Sequence, residues 1–446
     1  MSEVVAVSPP LHGPSIVIAA CRAGALGILN ARFHTPQRII DDVLQIARYT
    51  SAPFGLLLPD HLSANELSDV LNRLDRAPSV LMATADGPWL EEATITAWHE
   101  EGYTVWAAVS SNRQAEQAVG AGVDGLVAKG HEAGGWVGDE TTFILLQRLL
   151  KSHTLPVWAW GGVGEHTAAA CRTAGAAGVV LDAQLSLTRE SALPEPVKAA
   201  IRRMDGSETL LLGAELDRPF RAYTRPGATM LESLQQRAYE LVGQPEGADT
   251  WCRELEARVG WGALDEQIWP VGQDAAFAAS LADRYTTVGG VIAAIRAGIT
   301  SHTRTARRLH PLSQNAPLAV SHRTRYPIVQ GPMTRVSDRA TFCHDVEAGG
   351  GLPFLALALM RAPAVEELLV ETKALMGDRA WGVGILGFVP LELRREQLEV
   401  ILRHRPPFAI IAGGRPDQAR QLEDAGITTY LHVPSPGLLR LFLKDG

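Results

Sequence analysis

Residues 1 to about 215 predict a (βα)8 barrel, and three observations carry that prediction. Eight short runs are apolar throughout, as strands covered on both faces must be. Between them lie segments long enough for the crossover helix that neighbouring parallel strands require. A doubly wound open sheet would need fewer strands or a GxGxxG fingerprint after the first, and that fingerprint is absent.

The eight predicted strands are 4–7, 27–29, 54–58, 80–83, 103–107, 125–129, 157–160 and 178–181. In such a barrel the chemistry belongs to the loops at the strands' C-terminal ends. From 216 to 315 the pattern turns helical and predicts a cap and connector. Leu231, Leu234, Ala238 and Leu241 share one helix face, a second helix covers 275–285, and a third follows Thr287 with Val291, Ile292 and Ile295. The arginine-rich stretch 302–325, with Pro311 and Pro317, reads as a connector.

The chain then repeats itself. AGALG starts at Ala23 and AGGGL at Ala348, 325 residues on. The glycines of PFG and AWG, Gly55 and Gly382, are 327 apart, and GYTVWAAVSS at Gly102 matches GITTYLHVPS at Gly426, 324 further. Residues 316–446 are therefore expected to be the N-terminal part of a second barrel, with strands at 328–330, 352–356, 382–385, 408–412 and 429–433. On this expectation three strands of the second barrel are missing and its sheet has open edges.

Composition narrows the function classes. A net charge of −8 offers no basic footprint for nucleic acid. No run of 18 apolar residues marks a membrane span, and the first residues lack a signal-peptide pattern, so a cytoplasmic location is expected. Cys21, Cys171, Cys252 and Cys343 are too scattered for a disulfide framework or a metal knot.

Two segments carry chemistry. In 122–147 a buried strand ends at Lys129, and a loop with Gly130, Gly134, Gly135 and Gly138 leads into a helix near Thr141. A plain βα turn rarely needs four glycines, whereas backbone that must approach a ligand does. In 155–185 a strand runs into Gly161 and Gly162, a helix starts near Glu165, and the next strand ends at Asp182 and Ala183. Adjacent strand ends with free N–H groups and a helix start form the usual phosphate cradle of barrel strands seven and eight.

GHEAGGWVG, followed by strand–GG–helix at this separation, resembles the nitronate monooxygenase (2-nitropropane dioxygenase) family and the related enoyl-acyl-carrier-protein reductases. PSIVIAACRAGALG, SAPFGLLLP and IWPVGQDAAFA extend the resemblance over about 1–310; YPIVQGPM and WGVGILGFVP renew it over 326–446. The resemblance implies FMN, with Lys129, Gly134, Gly161, Gly162, Asp182 and Ala183 at the cofactor-binding positions. It implies a small-molecule or acyl-thioester substrate, and either nitronate oxidation or hydride transfer to an enoyl thioester, the chemistry being the flavin's.

Three positions depart from the family pattern. Trp136 stands where the family's catalytic histidine closes the glycine loop, and indole is no base. His131, on the same loop, is the candidate substitute. Leu57 replaces an asparagine that bonds the flavin, and Asp182-Ala183 replaces Gly-Thr. A carboxylate about 5 Å from a phosphate charge costs roughly 3 kcal/mol at an effective dielectric near 20. Two readings stay open: an FMN oxidoreductase with a changed acid–base group, or a silent barrel supporting an active second barrel or synthase modules. LAVSH, YPIVQGPM and ILGFVP are similar to the front end of large polyketide and polyunsaturated-fatty-acid synthases.

Overall fold

Eight parallel strands close into a barrel in the computed structural model, which describes residues 2–74 and 76–444. The strands are β1 (Val4–Val7), β2 (Leu26–Asn30), β3 (Phe54–Leu57), β4 (Val80–Thr84), β5 (Thr104–Val109) and β6 (Gly125–Lys129). A two-residue strand, β7 (Gly135–Trp136), interrupts the series, and β8 (Val157–Trp160) and β9 (Gly178–Leu181) complete the barrel as its seventh and eighth staves. β9 pairs back onto β1 through Val4–Val179, Val5–Val180 and Ala6–Leu181, closing the cylinder. All eight predicted strands exist, with ends displaced by at most two residues.

Side-chain alternation builds two apolar layers. Val4, Leu29, Leu56, Leu81, Leu126 and Ala159 point outward into the core under the helices. Val5, Ile28, Met82, Trp106, Trp158 and Val180 fill the interior. Trp106 and Trp158 stack there with ring centroids 3.9 Å apart. Gly125 is required beside them, since a Cβ at that position would lie 2.8 Å from the Trp158 ring.

The structure draws the cap boundaries differently from the sequence expectation of 1–215 and 216–315. Helix Val288–Leu309 packs Val291, Ile292, Ile295 and Ile299 into the outer barrel core, so it is the barrel's eighth helix. The cap is thus an insertion between β9 and that helix. An amphipathic 3.6-residue period is the same whether a helix serves a cap or a barrel, which is why the sequence did not separate them. The cap also holds a sheet the sequence reading missed: β10 (Thr209–Leu212) and β11 (Phe220–Tyr223) pair antiparallel, and β11 pairs with β7. Helix Thr229–Leu241 buries Leu231, Leu234, Ala238 and Leu241 as expected.

The chain divides into two compact units, 1–305 and 306–446. In the second, β12 (Phe354–Ala356), β13 (Gly382–Leu386), β14 (Phe408–Ala412) and β15 (Thr428–His432) form a parallel sheet in chain order. The helix–strand alternation between Ser15 and Val109 recurs between Ala340 and His432. The strand expected at 328–330 is reduced to a parallel bridge between Val329 and Leu352. Pro327 and Pro332 flank it, and proline donates nothing to a ladder.

Candidate functional site

The C-terminal ends of the barrel strands open into a cavity of ≈ 80 Å³, room for several water-sized groups. Ser8, Asn30, Leu57, Lys129, Trp160 and Asp182 line its barrel side. Trp136, Phe220, Trp261 and Pro270 line its cap side. Of the residues singled out from sequence, Lys129, Gly134, Trp136, Asp182, Ala183 and Leu57 meet in this one cavity.

Lys129 ends β6 with its ammonium 4.7 Å from the Trp160 ring centroid. Burial lowers its pKa to about 8, and the Arg32 charge adds to that shift, while Asp182, Asp274 and Asp86 oppose it. Asp182 ends β9; its Oδ2 accepts from Trp160 Nε1 at 2.8 Å, and its backbone N–H donates to Gln184 Oε1 at 2.8 Å. Burial raises the Asp182 pKa, opposed first by the Trp160 bond and then by the Ala183 backbone and Lys129. Asp182 Oδ1 has no hydrogen-bond partner.

Gly134 owes its identity to the cap. A Cβ there would stand 2.4 Å from the Pro270 carbonyl oxygen and 2.8 Å from Gly272 N. Gly161 (φ +117°) and Gly162 (φ +63°) make the turn after β8, as the cradle motif requires. They do not line the cavity.

Side chains of the protein itself crowd that turn. Asp274, at the start of the cap's 3-10 turn Gln273–Phe277, is 2% exposed. Its Oδ2 accepts from Gln184 Nε2 at 3.1 Å, and its Oδ1 is unpartnered. Burial, then the neighbouring Asp182, push its pKa well above the carboxylate range; the nearby Gly162 backbone works the other way. Gln184 is fully buried and also donates to the Val163 carbonyl at 3.0 Å. Glu132 accepts from Thr142 N at 2.9 Å and Thr142 Oγ1 at 3.0 Å on the other side of the turn. Nothing in the motif spacing pointed to Gln184 or Asp274.

The two histidine-related expectations separate. Trp136 lines the cavity, but its Nε1 donates to Glu256 Oε1 at 2.9 Å and its ring meets Phe220 edge-on at 5.0 Å. His131 does not line the cavity. It donates from Nδ1 to the Gly138 carbonyl at 2.9 Å, and its own carbonyl accepts from Arg221 Nε at 2.7 Å. These bonds make it a brace for the glycine loop. Arg32, missed in the sequence, reaches the cavity while paired with Asp60 at 2.8 Å.

A closed eight-stranded barrel with a mouth cavity roofed by an inserted cap defines a capped α/β barrel, and the nitronate monooxygenase family profile matches residues 61–295. The chain belongs to the nitronate monooxygenase family. It is 28% identical over 239 residues to the (3aS,4S,5R,7aS)-5-hydroxy-7a-methyl-1-oxo-octahydro-1H-indene-4-carboxyl-CoA dehydrogenase of Rhodococcus jostii, covering 48% of this chain and 66% of that protein. The Mycobacterium tuberculosis enzyme of the same name is 28% identical over 210 residues, covering 44% and 58%. The chain thus spans less than two thirds of the length of these relatives. Among solved structures, FabK from Thermotoga maritima superposes with a TM-score of 0.58 at 25% identity, covering 69% of this chain and 96% of that one. The enoyl reductase domain of MlnA from Bacillus amyloliquefaciens has a TM-score of 0.57 at 13% identity, covering 70% and 96%, and speaks for the fold alone. No helix among the described residues is long and apolar enough to cross a membrane.

The FMN that the resemblance implies meets a poor fit at its phosphate end. The buried atoms without partners there are two carboxyl oxygens, Asp182 Oδ1 and Asp274 Oδ1, which call for a donor or a cation. A phosphate would face like charge or an acceptor on each side.

Proposed function

We propose that the first unit is a catalytically silent barrel of the nitronate monooxygenase family with a structural role beside an active partner. The partner is a second barrel of the same family, or neighbouring polyketide or fatty-acid synthase modules. One observation carries this reading. At the family's base position stands Trp136, whose one polar atom is committed to Glu256. No histidine among the described residues lines the cavity. General-base catalysis needs a proton acceptor within hydrogen-bond reach of the substrate, and this loop supplies none.

A second reading, an FMN-dependent oxidoreductase or enoyl-thioester reductase, draws on the cavity at the strands' C-terminal ends and on relatives named for a carboxyl-CoA thioester. It requires Asp274 and Gln184 to leave the turn after β8. Steady-state assays of the full chain supplied with FMN separate the readings. The silent barrel gives no protein-dependent oxygen uptake with alkyl nitronate and no nicotinamide oxidation with an enoyl thioester. Saturable turnover of either substrate supports the second reading.

A further inference from the structure

We propose that the cap residue Asp274 occupies the phosphate cradle of the barrel as a built-in ligand, so that this chain discriminates against the phosphate of a flavin mononucleotide. The cradle is the turn Gly161–Gly162 after β8 together with the end of β9 at Asp182. Its polar groups are engaged from within. The Asp274 carboxyl lies beside the Gly162 backbone, and the Asp182 backbone N–H donates to Gln184 Oε1. Gln184 Nε2 bridges from the Val163 carbonyl to Asp274 Oδ2.

The arrangement is held from the cap side. Gln273 N donates to the Glu132 carbonyl at 2.8 Å, tying the residue before Asp274 to the glycine loop. Gly272 is required beside it, because a Cβ there would sit 2.5 Å from Asp274 Oδ1. Asp274 is therefore fixed by backbone on one side and by Gln184 on the other, with almost no exposed surface. A carboxyl group in its neutral form presents the turn with the oxygen acceptor that a phosphate would otherwise supply. It does so without bringing a full charge beside Asp182 and Glu132.

The absence of a base at Trp136 is a separate matter, read by turnover, whereas the cradle is read by binding. The test compares FMN with riboflavin, which lacks the phosphate, by fluorescence titration of the desalted full chain. The wild type is expected to bind FMN no more tightly than riboflavin. Asp274→Gly and Asp274→Ser empty the cradle and are expected to tighten FMN at least about tenfold while leaving riboflavin unchanged. Asp274→Asn keeps the shape and is expected to leave FMN weak. Circular dichroism establishes that each variant is folded. Wild-type preference for FMN by about tenfold or more overturns the proposal, and that comparison stands even if no variant folds. So does a folded Asp274→Gly or Asp274→Ser that gains nothing for FMN over riboflavin.

Discussion

Trp136 Nε1 lies 2.9 Å from Glu256 Oε1, a contact that joins the loop after β6 to a cap helix 120 residues away in sequence. β7 and β11 frame it through the Trp136–Phe220 pair, and the indole packs against a cap core containing Phe220, Trp251 and Ile268. Trp136 is part of the cap's packing.

Replacing that indole is therefore expected to cost stability before it yields any chemistry. Trp136→His should destabilise the first unit by about 1–3 kcal/mol, through lost packing and the loss of the indole's bond to Glu256. Glu256→Gln, which keeps an acceptor for the indole, should cost under about 1 kcal/mol. Denaturant melts of the full chain measure both. A Trp136→His protein as stable as wild type would show that the indole is not structural.

Lys129 provides a titration test. Its pKa of about 8 is set by burial first, with Arg32 adding to it. With the folded-state pKa below the unfolded value, the folded chain holds fewer protons between about pH 8 and the ordinary lysine range near 10.4. Stability contributed through this group accordingly rises with pH across that window. Reductive ¹³C-methylation followed by NMR should show one of the five lysines titrating near 8 and vanishing in Lys129→Met. A chain whose lysines all titrate near 10.4 contradicts the buried placement of the ammonium.

His34 is expected to contribute to the acid sensitivity of the first unit. It is 2% exposed, both ring nitrogens lack a hydrogen-bond partner, and Asp42 Oδ2 is 3.4 Å from Nδ1. Burial, reinforced by the charges of Arg38 and His12, lowers its pKa to about 4. The unfolded chain then binds the extra proton, so stability is full above about 6.5 and falls as pH drops towards 4. The loss at pH 4 should be of the order of 3 kcal/mol from this residue. The melting temperature of His34→Phe should depend less on pH between 6.5 and 4 than that of wild type. An unchanged pH slope would assign the acid loss elsewhere.

Two glycines separate close approach from helix entropy. Gly134→Ala places a Cβ 2.4 Å from the Pro270 carbonyl and should cost about 1–3 kcal/mol by forcing the cap away. Gly120 sits in helix Asn112–Ala121 with nothing within 4 Å of its missing Cβ. Gly120→Ala should add roughly 0.5–1 kcal/mol. Thermal melts check the opposite signs.

The barrel was legible because its strands are apolar on both faces: 4–7, 125–129, 157–160 and 178–181 match β1, β6, β8 and β9 to the residue. The hairpin β10–β11 was not, since TLLL and FRAY are short and find their third partner, β7, more than 70 residues upstream. Lys129 and Asp182 were legible as mouth residues from their places at strand ends, and Gly134 from the glycine loop that follows Lys129. That the His131 ring turns to Gly138, outside the cavity lining, was not legible, because loop membership does not say which way a ring turns. Asp274 was invisible because its significance arises from Gln184, 90 residues earlier, and no local pattern links an acid in the cap to a barrel turn.

The central claim, that the first unit lacks the family's base-dependent chemistry, is tested most directly by adding alkyl nitronate anaerobically to the full chain in the presence of excess FMN and following the flavin's visible band. Bleaching is expected to be no faster than that of free FMN, in wild type and in His131→Ala alike. Saturable bleaching that depends on the chain and is lost in His131→Ala or Lys129→Met would contradict it.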